Sequence, residues 1–358
     1  MAAPDLLAAT ADLVAIPSVS HAEGPLVDHL AARLSSQSHL EVERVGDNLV
    51  ARTGLDRPMR VILAGHTDTV PVNGNADPRI DGDVLWGLGS ADMKGGLAVM
   101  LALAETVSDP AVDVTYVFYA GEEVTAEHNG LGHLVRDRPD LLAGDVAILG
   151  EPTAGELEAG CQGTLRMEVT LRGQRAHTAR PWMGRNAIHR LGDLLRLVDG
   201  FEGRRPVIQG CEYREALQAV VVSGGVAANV VPDLATVTLN RRFAPDRTEA
   251  EAADEVRSLL APVLEAGDEV IVVDSAPAAA PGLDNPILRG LIDRHHLTVT
   301  AKLGWTDVAR FAALGVPACN LGPGDATLAH TADERVDRAS LERAFDVLHA
   351  VLTTPLPS

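Results

Sequence analysis

Three runs of mostly apolar residues dominate the first part of the chain, and they predict buried strands of a mostly parallel sheet. Each run is followed at once by side chains that can bind a metal ion. Because open α/β sheets build their sites at the carboxyl ends of strands, we expect these side chains to lie along one rim. The runs and the residues after them are 61–65 with His66 and Asp68, 114–120 with Glu122 and Glu123, and 146–149 with Glu151.

Helix and loop patterns fill the space between these runs. Segments 5–15 and 24–34 have the periodicity of amphipathic helices, whereas 94–107 is apolar nearly all round and predicts a buried helix. Residues 41–52 predict a strand or a hairpin, and residues 71–83, rich in Asp, Pro, Asn and Gly, predict a loop. The alternation of strands and helices up to residue 152 indicates the α/β fold class.

The pattern changes at about residue 163, where alternating, half-buried strands replace the continuous apolar runs. The predicted order, β-α-β-β-α-β, is that of a split-βαβ (ferredoxin-like) α+β sandwich. A linker at 276–282 follows, and the later strand–helix alternation is expected to return to the first sheet. The elements are strand 165–171, helix 187–198 with Ile188, Leu191, Leu194 and Val198 on one face, strands 219–223 and 235–243, a helix capped by Thr248 and Glu251, and strand 269–273.

These changes of pattern predict two domains. Residues 1–162 and 281–358 form the domain that carries the rim, and residues 163–280 form an inserted domain.

Charge and cysteine content exclude several classes of protein. The 358 residues carry a net charge of −20, which argues against nucleic acid or an anionic membrane as a partner. The odd number of cysteines, without framework spacing, indicates a reducing compartment. Residues 1–14 lack a basic n-region and no apolar run reaches membrane length, so we expect a cytoplasmic protein without a signal peptide.

The rim offers the mixture of imidazole and carboxylate ligands that suits zinc, with manganese or cobalt as substitutes. Asp92 begins a glycine-flanked helix, and His330 follows a loop after a later strand. Glu122 and Glu123 are adjacent at a strand end, so one can hold a metal while the other faces a water molecule. Like charges this close are costly unless cations neutralise them. The set fits a two-metal hydrolase, although a His-x-Asp pair alone is also consistent with an ordinary surface pair.

Taken together, the motifs resemble the two-zinc metallopeptidase family of aminoacylases, acetylornithine deacetylase, glutamate carboxypeptidases and succinyl-diaminopimelate desuccinylase. The resemblance spans essentially the whole chain. It implies a zinc-peptidase-like catalytic domain, an inserted lid and dimerisation domain, and a cis peptide bond after Asp92. The motifs are His66-x-Asp68, Gly89-x-x-Asp92-Met93-Lys94-Gly95-Gly96, Glu122-Glu123, Gly150-Glu151-Pro152 and His330.

By this resemblance the cofactors are two Zn²⁺ ions, with Co²⁺ or Mn²⁺ as substitutes. Asp68 would hold a ligand histidine in its metal-binding tautomer, and Glu122 would be the general base. The implied ligands are His66 and Glu151 for one ion, Glu123 and His330 for the other, and Asp92 as the bridge between them.

Three residues of the inserted domain match lid positions of the family. His177 matches the lid histidine, which stabilises the oxyanion, and Asn229 and Arg242 match substrate contacts. The residues alone favour a surface histidine without function for His177, and Arg242 could belong to an ion pair on a strand face. The segment 160–163 departs from the double-arginine form of some desuccinylases, so no arginine contact is carried over to it.

Segments 145–155, 160–164 and 304–311 look most like desuccinylases of the actinobacterial type. This likeness implies a two-zinc amidohydrolase that removes succinate from a small acyl-amino acid, N-succinyl-LL-2,6-diaminopimelate, in the biosynthesis of lysine and cell-wall precursors. It also implies a homodimer through the inserted domain, with His177 reaching the partner's site.

Two alternatives to this activity remain. One is another N-acyl-amino-acid hydrolase of the family, such as acetylornithine deacetylase or a carboxypeptidase. The other is a dimeric binding protein that has lost its metals, against which the intact Glu122-Glu123 pair argues.

Overall fold

The computed structural model describes residues 4–354, which divide into two compact units. The first unit contains the chain up to Gly160, the segment Pro281–Thr300 and the chain from Arg310 onward. The second unit contains Cys161–Ala280 and Ala301–Ala309.

The segment Ala301–Ala309, which the sequence places in the first domain, packs with the second unit. Hydrogen bonds explain this assignment, because Gln162 N donates to Lys302 O and Trp305 Nε1 donates to Pro277 O.

Helices and strands alternate along most of the described chain. The α-helices are α1 (Leu6–Val14), α2 (Gly24–Ser35), α3 (Lys94–Thr106), α4 (Gly130–Asp137), α5 (Ala187–Asp199), α6 (Glu249–Leu260), α7 (Pro286–His295), α8 (Val308–Ala313) and α9 (Arg338–Thr353). The strands are β1 (Glu41–Val45), β2 (Asn48–Arg52), β3 (Arg60–His66), β4 (Arg79–Asp81), β5 (Val84–Trp86), β6 (Asp113–Tyr119), β7 (Val146–Leu149), β8 (Leu157–Ala159), β9 (Gly163–Arg172), β10 (Val207–Ile208), β11 (Cys211–Glu212), β12 (Ala216–Gly224), β13 (Leu234–Phe243), β14 (Glu269–Ala276), β15 (Val299–Ala301), β16 (Ala318–Asn320) and β17 (Arg335–Asp337).

Eight of the described strands form one sheet in the order β1-β2-β6-β3-β7-β16-β8-β15. The neighbours β6, β3, β7 and β16 run parallel, as their continuous apolar runs predict. Their carboxyl ends therefore lie at the same edge, which confirms the expected rim. Strands β15 and β16 come from the last part of the chain, so its predicted return to the first sheet is also confirmed.

The glycine-flanked helix α3 is buried from Lys94 to Ala104. Gly96 approaches β7 so closely that a Cβ atom there would stand 2.2 Å from the carbonyl oxygen of Gly150. Only glycine permits this approach. It brings the start of α3, and with it Asp92, to the rim.

Four other strands of the described chain form the antiparallel sheet β12-β13-β9-β14 of the second unit, with α5 and α6 packed against it. The observed β-α-β-β-α-β order matches the prediction, and the capping box of Thr248 and Glu251 is present. Ile188, predicted on one face with Leu191, Leu194 and Val198, differs from them because its side chain is 39% exposed. This residue lies in the first turn of α5 beside Gly224, at the end of β12, whereas the core lies farther along the helix.

A three-stranded sheet, β17-β5-β4, was not expected from the sequence. Strand β4 lies inside the segment predicted to be a loop, and its three residues are exposed, which leaves no apolar alternation to detect. Pairing of Arg335 with Trp86 places the chain after His330 beside the loop that leads to Asp92.

No helix within residues 4–354 combines the length and the apolar character needed to cross a bilayer.

Candidate metal centre

Six side chains that can bind a metal ion converge at the rim of the first unit. They come from the ends of β3, β6 and β7, from the residue two before α3, and from the loop before β17. Their ligand atoms form groups in which all atoms lie within 4.8 Å of one another. The groups are His66, Asp92 and Glu151; Asp92, Glu123 and His330; and His66, Glu122 and Glu123.

Asp92 lies between the two histidines. His66 Nε2 is 3.1 Å from Asp92 Oδ1, and His330 Nε2 is 3.5 Å from Asp92 Oδ2. His330 Nε2 is also 2.7 Å from Glu123 Oε1. The first two groups therefore share one carboxylate, which is the arrangement that the family resemblance implies for a bridging ligand.

The electrostatics of this cluster favour positive charge. Burial alone would lower the pKa of His66, but hydrogen bonds to Asp68 and Asp92 raise it well above its usual value. A hydrogen bond to Asp92 and the nearby charge of Glu123 raise the pKa of His330 to about 9, against the effect of burial. Burial opposes ionisation of Asp92, yet hydrogen bonds to the two imidazoles hold its pKa below the usual range. Carboxylates that stabilise an added proton in this way also suit divalent cations, so the donor set fits a metal centre.

The carboxylate of Asp68 is buried and is used mainly to hold the loop after β6. Its oxygens accept hydrogen bonds from the main-chain N–H groups of Glu122 and Glu123, each at 3.0 Å, and from Ser20 Oγ at 2.8 Å. His66 Nδ1 lies 3.0 Å from the main-chain oxygen of Asp68 and 3.5 Å from its carboxylate. The main-chain oxygen of Asp68 is thus the closer partner of the His66 Nδ1 atom. The side chain of Asp68 instead positions Glu122 and Glu123.

The cis peptide bond between Asp92 and Met93, which the family resemblance implies, is present directly before α3. Lys94, the next residue, is buried, and its Nζ donates a hydrogen bond to Ile16 O at 2.7 Å. Burial lowers the pKa of this ammonium group to about 8. Lys94 is therefore not a solvated residue of the first helical turn.

Glu334, which lies four residues after His330, is not among the candidate residues that the sequence predicts. Its carboxylate is buried and accepts hydrogen bonds from the main-chain N–H groups of Ala91 and Asp92. The only signal in the sequence is an acidic residue close to a candidate ligand, and an exposed acidic loop has the same appearance.

The three candidate lid residues lie in the second unit. His177 is exposed, its Nδ1 accepts a hydrogen bond from Ala179 N at 3.0 Å, and it forms a β-bridge with Val230. This bridge brings the loop of Asn229 beside it. Arg242 lies near the carboxyl end of β13, so the structure groups His177 with Asn229 and places Arg242 apart from them.

Comparison with known proteins identifies the family. The model of peptidase family M20/M25/M40 matches residues 62–354. The chain belongs to this family. It is therefore an enzyme of a metal-dependent hydrolase family, as predicted from its motifs, and it carries candidate metal-binding groups in the expected place.

Two relatives match along nearly the whole chain. A Mycobacterium tuberculosis protein, provisionally named succinyl-diaminopimelate desuccinylase DapE, is 50% identical over 350 residues, which are 97% of this chain and 98% of that protein. A succinyl-diaminopimelate desuccinylase from Corynebacterium glutamicum is 44% identical over 337 residues, which are 92% of this chain and 91% of that protein.

Solved structures support the fold class predicted from the sequence. A tripeptidase from Staphylococcus aureus matches with a TM-score of 0.80 at 20% identity, covering 97% of both chains. The YxeP protein of Bacillus subtilis, described as a dinuclear metal binding peptidase, matches with a TM-score of 0.71 at 15% identity, covering 97% of this chain and 96% of that one. At these identities the matches show the fold alone.

Proposed function

We propose that this chain is a two-zinc desuccinylase that hydrolyses N-succinyl-LL-2,6-diaminopimelate to succinate and LL-diaminopimelate. The observation that supports this most directly is the pair of ligand groups that share Asp92, in a chain that is 44% identical over 92% of its length to a named desuccinylase. The second named relative points to the same substrate.

The proposed ligand set follows the two groups. His66 and Glu151 would hold one ion, Glu123 and His330 would hold the other, and Asp92 would be shared between them. When bound, two divalent ions polarise an amide carbonyl group and lower the pKa of water. Such ions require neutral imidazoles and ionised carboxylates. Protons would therefore leave the histidines when the ions bind.

Glu122 is the proposed general base. Its carboxylate lies within 4.8 Å of ligand atoms of His66 and Glu123, and its main-chain N–H is held by Asp68. Glu122 accepts a proton from water while the water oxygen bonds to the amide carbon. It then returns the proton to the amine nitrogen as the C–N bond breaks, which releases succinate and the free amine.

Arg242 is the proposed contact for a substrate carboxylate. Its side chain is half-buried on β13, and within residues 4–354 its guanidinium makes no hydrogen bond or ion pair, which argues against the alternative of a strand-face pair. Burial lowers the pKa of this group, which remains strongly basic. A desolvated, planar guanidinium is suited to bidentate binding of a carboxylate, and it supplies local positive charge to a protein that is acidic overall.

His177 and Asn229 are proposed to act on the partner's substrate in a homodimer. The seven residue steps from Ala235 to Arg242 along β13 correspond to roughly 23 Å, and the His177 loop lies beyond the Ala235 end. This separation exceeds the reach of one small acyl-amino acid. If His177 and Arg242 serve the same substrate, they therefore come from different copies of the chain.

The second unit has an edge that is suited to such a dimer. Strand β12 is the edge strand of its sheet, and Val220, Val221 and Val222 are 55%, 59% and 54% exposed. Pairing this edge with its symmetry mate would cover both the apolar side chains and the unpaired backbone groups.

Substrate preference tests the proposed activity. Zinc-loaded protein is assayed for amine release from N-succinyl-LL-2,6-diaminopimelate, N-acetylornithine and an N-acyl dipeptide. We expect kcat/KM to be highest for the succinyl substrate. A preference for acetylornithine or the dipeptide would favour the related hydrolases, and tight binding in calorimetry without turnover would favour a binding protein.

A further inference from the structure

Glu334 is a buried carboxylate that the proposed reaction does not use. Its side chain is only 1% exposed, although it lies next to the anionic ligand Asp92. Burial raises its pKa, although hydrogen bonds from main-chain N–H groups oppose this. Acidic side chains are rarely buried without strong compensating contacts, so its contacts require an explanation.

The contacts of Glu334 join it to the loop that precedes α3. Its Oε1 accepts hydrogen bonds from Ala91 N at 3.1 Å and from Asp92 N at 3.0 Å. Its main-chain oxygen accepts another from Gly87 N at 3.1 Å. Glu334 thus binds both ends of the segment from Gly87 to Asp92.

The position of Glu334 is set by strand pairing. The next residue, Arg335, pairs with Trp86 in the β17–β5 ladder, and Gly87 follows Trp86 directly. The same short segment begins with His330, which is 2.7 Å from Glu123. The region from His330 to Glu334 therefore contributes one candidate ligand and also contacts the backbone of another.

Charge compensation supports a local role for this carboxylate. The buried ammonium group of Lys94 attracts Glu334, and two N–H groups point at one of its oxygens. A neutral residue would avoid the cost of burying charge here. A carboxylate is favoured where the backbone of Asp92 must be held firmly, because hydrogen bonds to an ionised acceptor are stronger than those to a neutral one.

We propose that Glu334 is a positioning residue that holds Asp92 in the orientation needed to bind both metal ions. This inference rests on the proposed two-metal site. Because Asp92 is shared, loosening its backbone should weaken both ions together, whereas loss of an unshared ligand should weaken mainly one. Contacts that orient metal ligands typically change metal affinity by about 10- to 100-fold when removed.

Three substitutions of Glu334 test the length and the charge of its side chain separately. Glu334→Ala removes the acceptor, Glu334→Gln keeps an oxygen at the same reach, and Glu334→Asp keeps the charge but shortens the side chain. Zn²⁺ is titrated into chelator-treated full-length protein, in competition with a chelator of known affinity, and the dissociation constants of both ions are measured. We expect both to rise by about 10- to 100-fold in the alanine variant, with part of the loss recovered in the glutamine variant, whose amide oxygen keeps the reach but not the charge, and little in the aspartate variant.

Asp113 supplies a matched control in the same unit. This carboxylate is 4% exposed and accepts hydrogen bonds from Leu55 N and Arg57 N at 3.0 Å, but it begins β6, at the end of the sheet opposite the rim. Asp113→Ala should lower the thermal unfolding temperature without changing either zinc dissociation constant.

Four results would contradict the proposed role of Glu334 or the proposed metal site. Parental zinc affinities in folded Glu334→Ala would overturn the inference, as would an equal loss in Asp113→Ala. If the alanine variant does not fold, glutamine and aspartate variants with equal affinities would overturn it. If the parent protein itself binds no zinc, the proposed metal site fails and not only the role of Glu334.

Discussion

At the residue scale, the carboxylates of the first unit have two separate tasks. Asp92 and Glu123 lie against imidazoles in the candidate ligand groups. Asp68 and Glu334 instead accept hydrogen bonds from the main-chain N–H groups of the segments that carry ligands. An acceptor that is buried and ionised suits this task because each bond is charge-assisted. The acidic side chains of this region therefore differ in role although they are identical in chemistry.

Replacing the proposed base should separate catalysis from metal binding. Glu122→Gln keeps the shape of the side chain but cannot accept a proton, so we expect kcat to fall by about 10²- to 10⁴-fold while zinc content stays unchanged. Steady-state kinetics and elemental analysis measure the two effects. Glu127→Gln, at a residue 75% exposed on the same loop, is the control and should behave like the parent. Near-normal turnover in Glu122→Gln would exclude Glu122 as the base.

Ligand substitutions should differ according to whether the residue is shared. His330→Ala should release one ion in preference to the other, whereas Asp92→Ala should weaken both. Elemental analysis after dialysis against a weak chelator gives the metal content per chain, and His349→Ala on α9 serves as the control. Activity that survives complete metal removal, or equal metal content in all three variants, would contradict the proposed centre.

At the scale of elements, a buried ion network fixes one end of the sheet of the second unit. The guanidinium of Arg241 is fully buried and bonds to Glu215 at 2.7 Å and to Glu255 on α6 at 2.5 Å. Arg204 adds a further ion pair to Glu215 at 2.7 Å. The network therefore joins β13, α6 and the segment before β12, beside the strand position that carries Arg242.

This network should make the second unit sensitive to acid. Burial opposes ionisation of Glu215, but hydrogen bonds from Arg204 and Arg241 lower its pKa from 4.5 to about 2. Because the folded-state pKa is the lower one, the stabilisation is complete above pH 4.5 and is lost as the pH falls toward 2. Glu215→Gln should cost about 3 kcal/mol at neutral pH, since it leaves buried guanidinium groups without a partner.

Urea unfolding of parent and variant at pH 7 and pH 3, values chosen on either side of the ordinary glutamate pKa, measures this effect. The difference in stability between parent and Glu215→Gln should shrink at the lower pH. Glu212→Gln, at a residue whose side chain is 46% exposed and pairs with Arg214, is the control. A difference that is independent of pH would show that ionised Glu215 does not stabilise the fold.

At the scale of the whole molecule, the proposed dimer predicts complementation between two inactive variants. His177→Ala and Glu122→Gln protein are mixed under conditions in which subunits exchange. If His177 acts on the partner's substrate, each mixed dimer holds one site with both groups intact, so activity should return toward one site per mixed dimer.

Exchange itself must be shown, for example by mass spectrometry of isotopically labelled subunits. The control is a mixture of labelled and unlabelled His177→Ala protein, in which subunit exchange should restore no activity. Demonstrated exchange without recovery of activity would mean that His177 acts in its own chain or has no catalytic role.

Features that depend on local pattern can be inferred from the order of the amino acids alone. Continuous apolar runs indicate buried parallel strands, because both faces of such strands are covered, and ligand residues that directly follow these runs must lie at the same edge. The candidate ligands and the order of elements in the inserted segment could therefore be inferred before the structure was known. The five motifs resemble those of the family, and this resemblance implied the roles of individual residues, which spacing alone does not assign.

The contacts by which distant segments support one another arise only when the chain folds. Glu334 bonds to Asp92 across 242 positions of the chain, and β17 pairs with β5 across a similar distance. Contacts of this kind leave no periodicity in either segment, since each partner is a single polar residue or a short exposed strand. Asp92 faces the ligand groups, and Glu334 bonds to its backbone. These separate roles arise because folding brings the carboxylate of Glu334 to the N–H groups of Ala91 and Asp92.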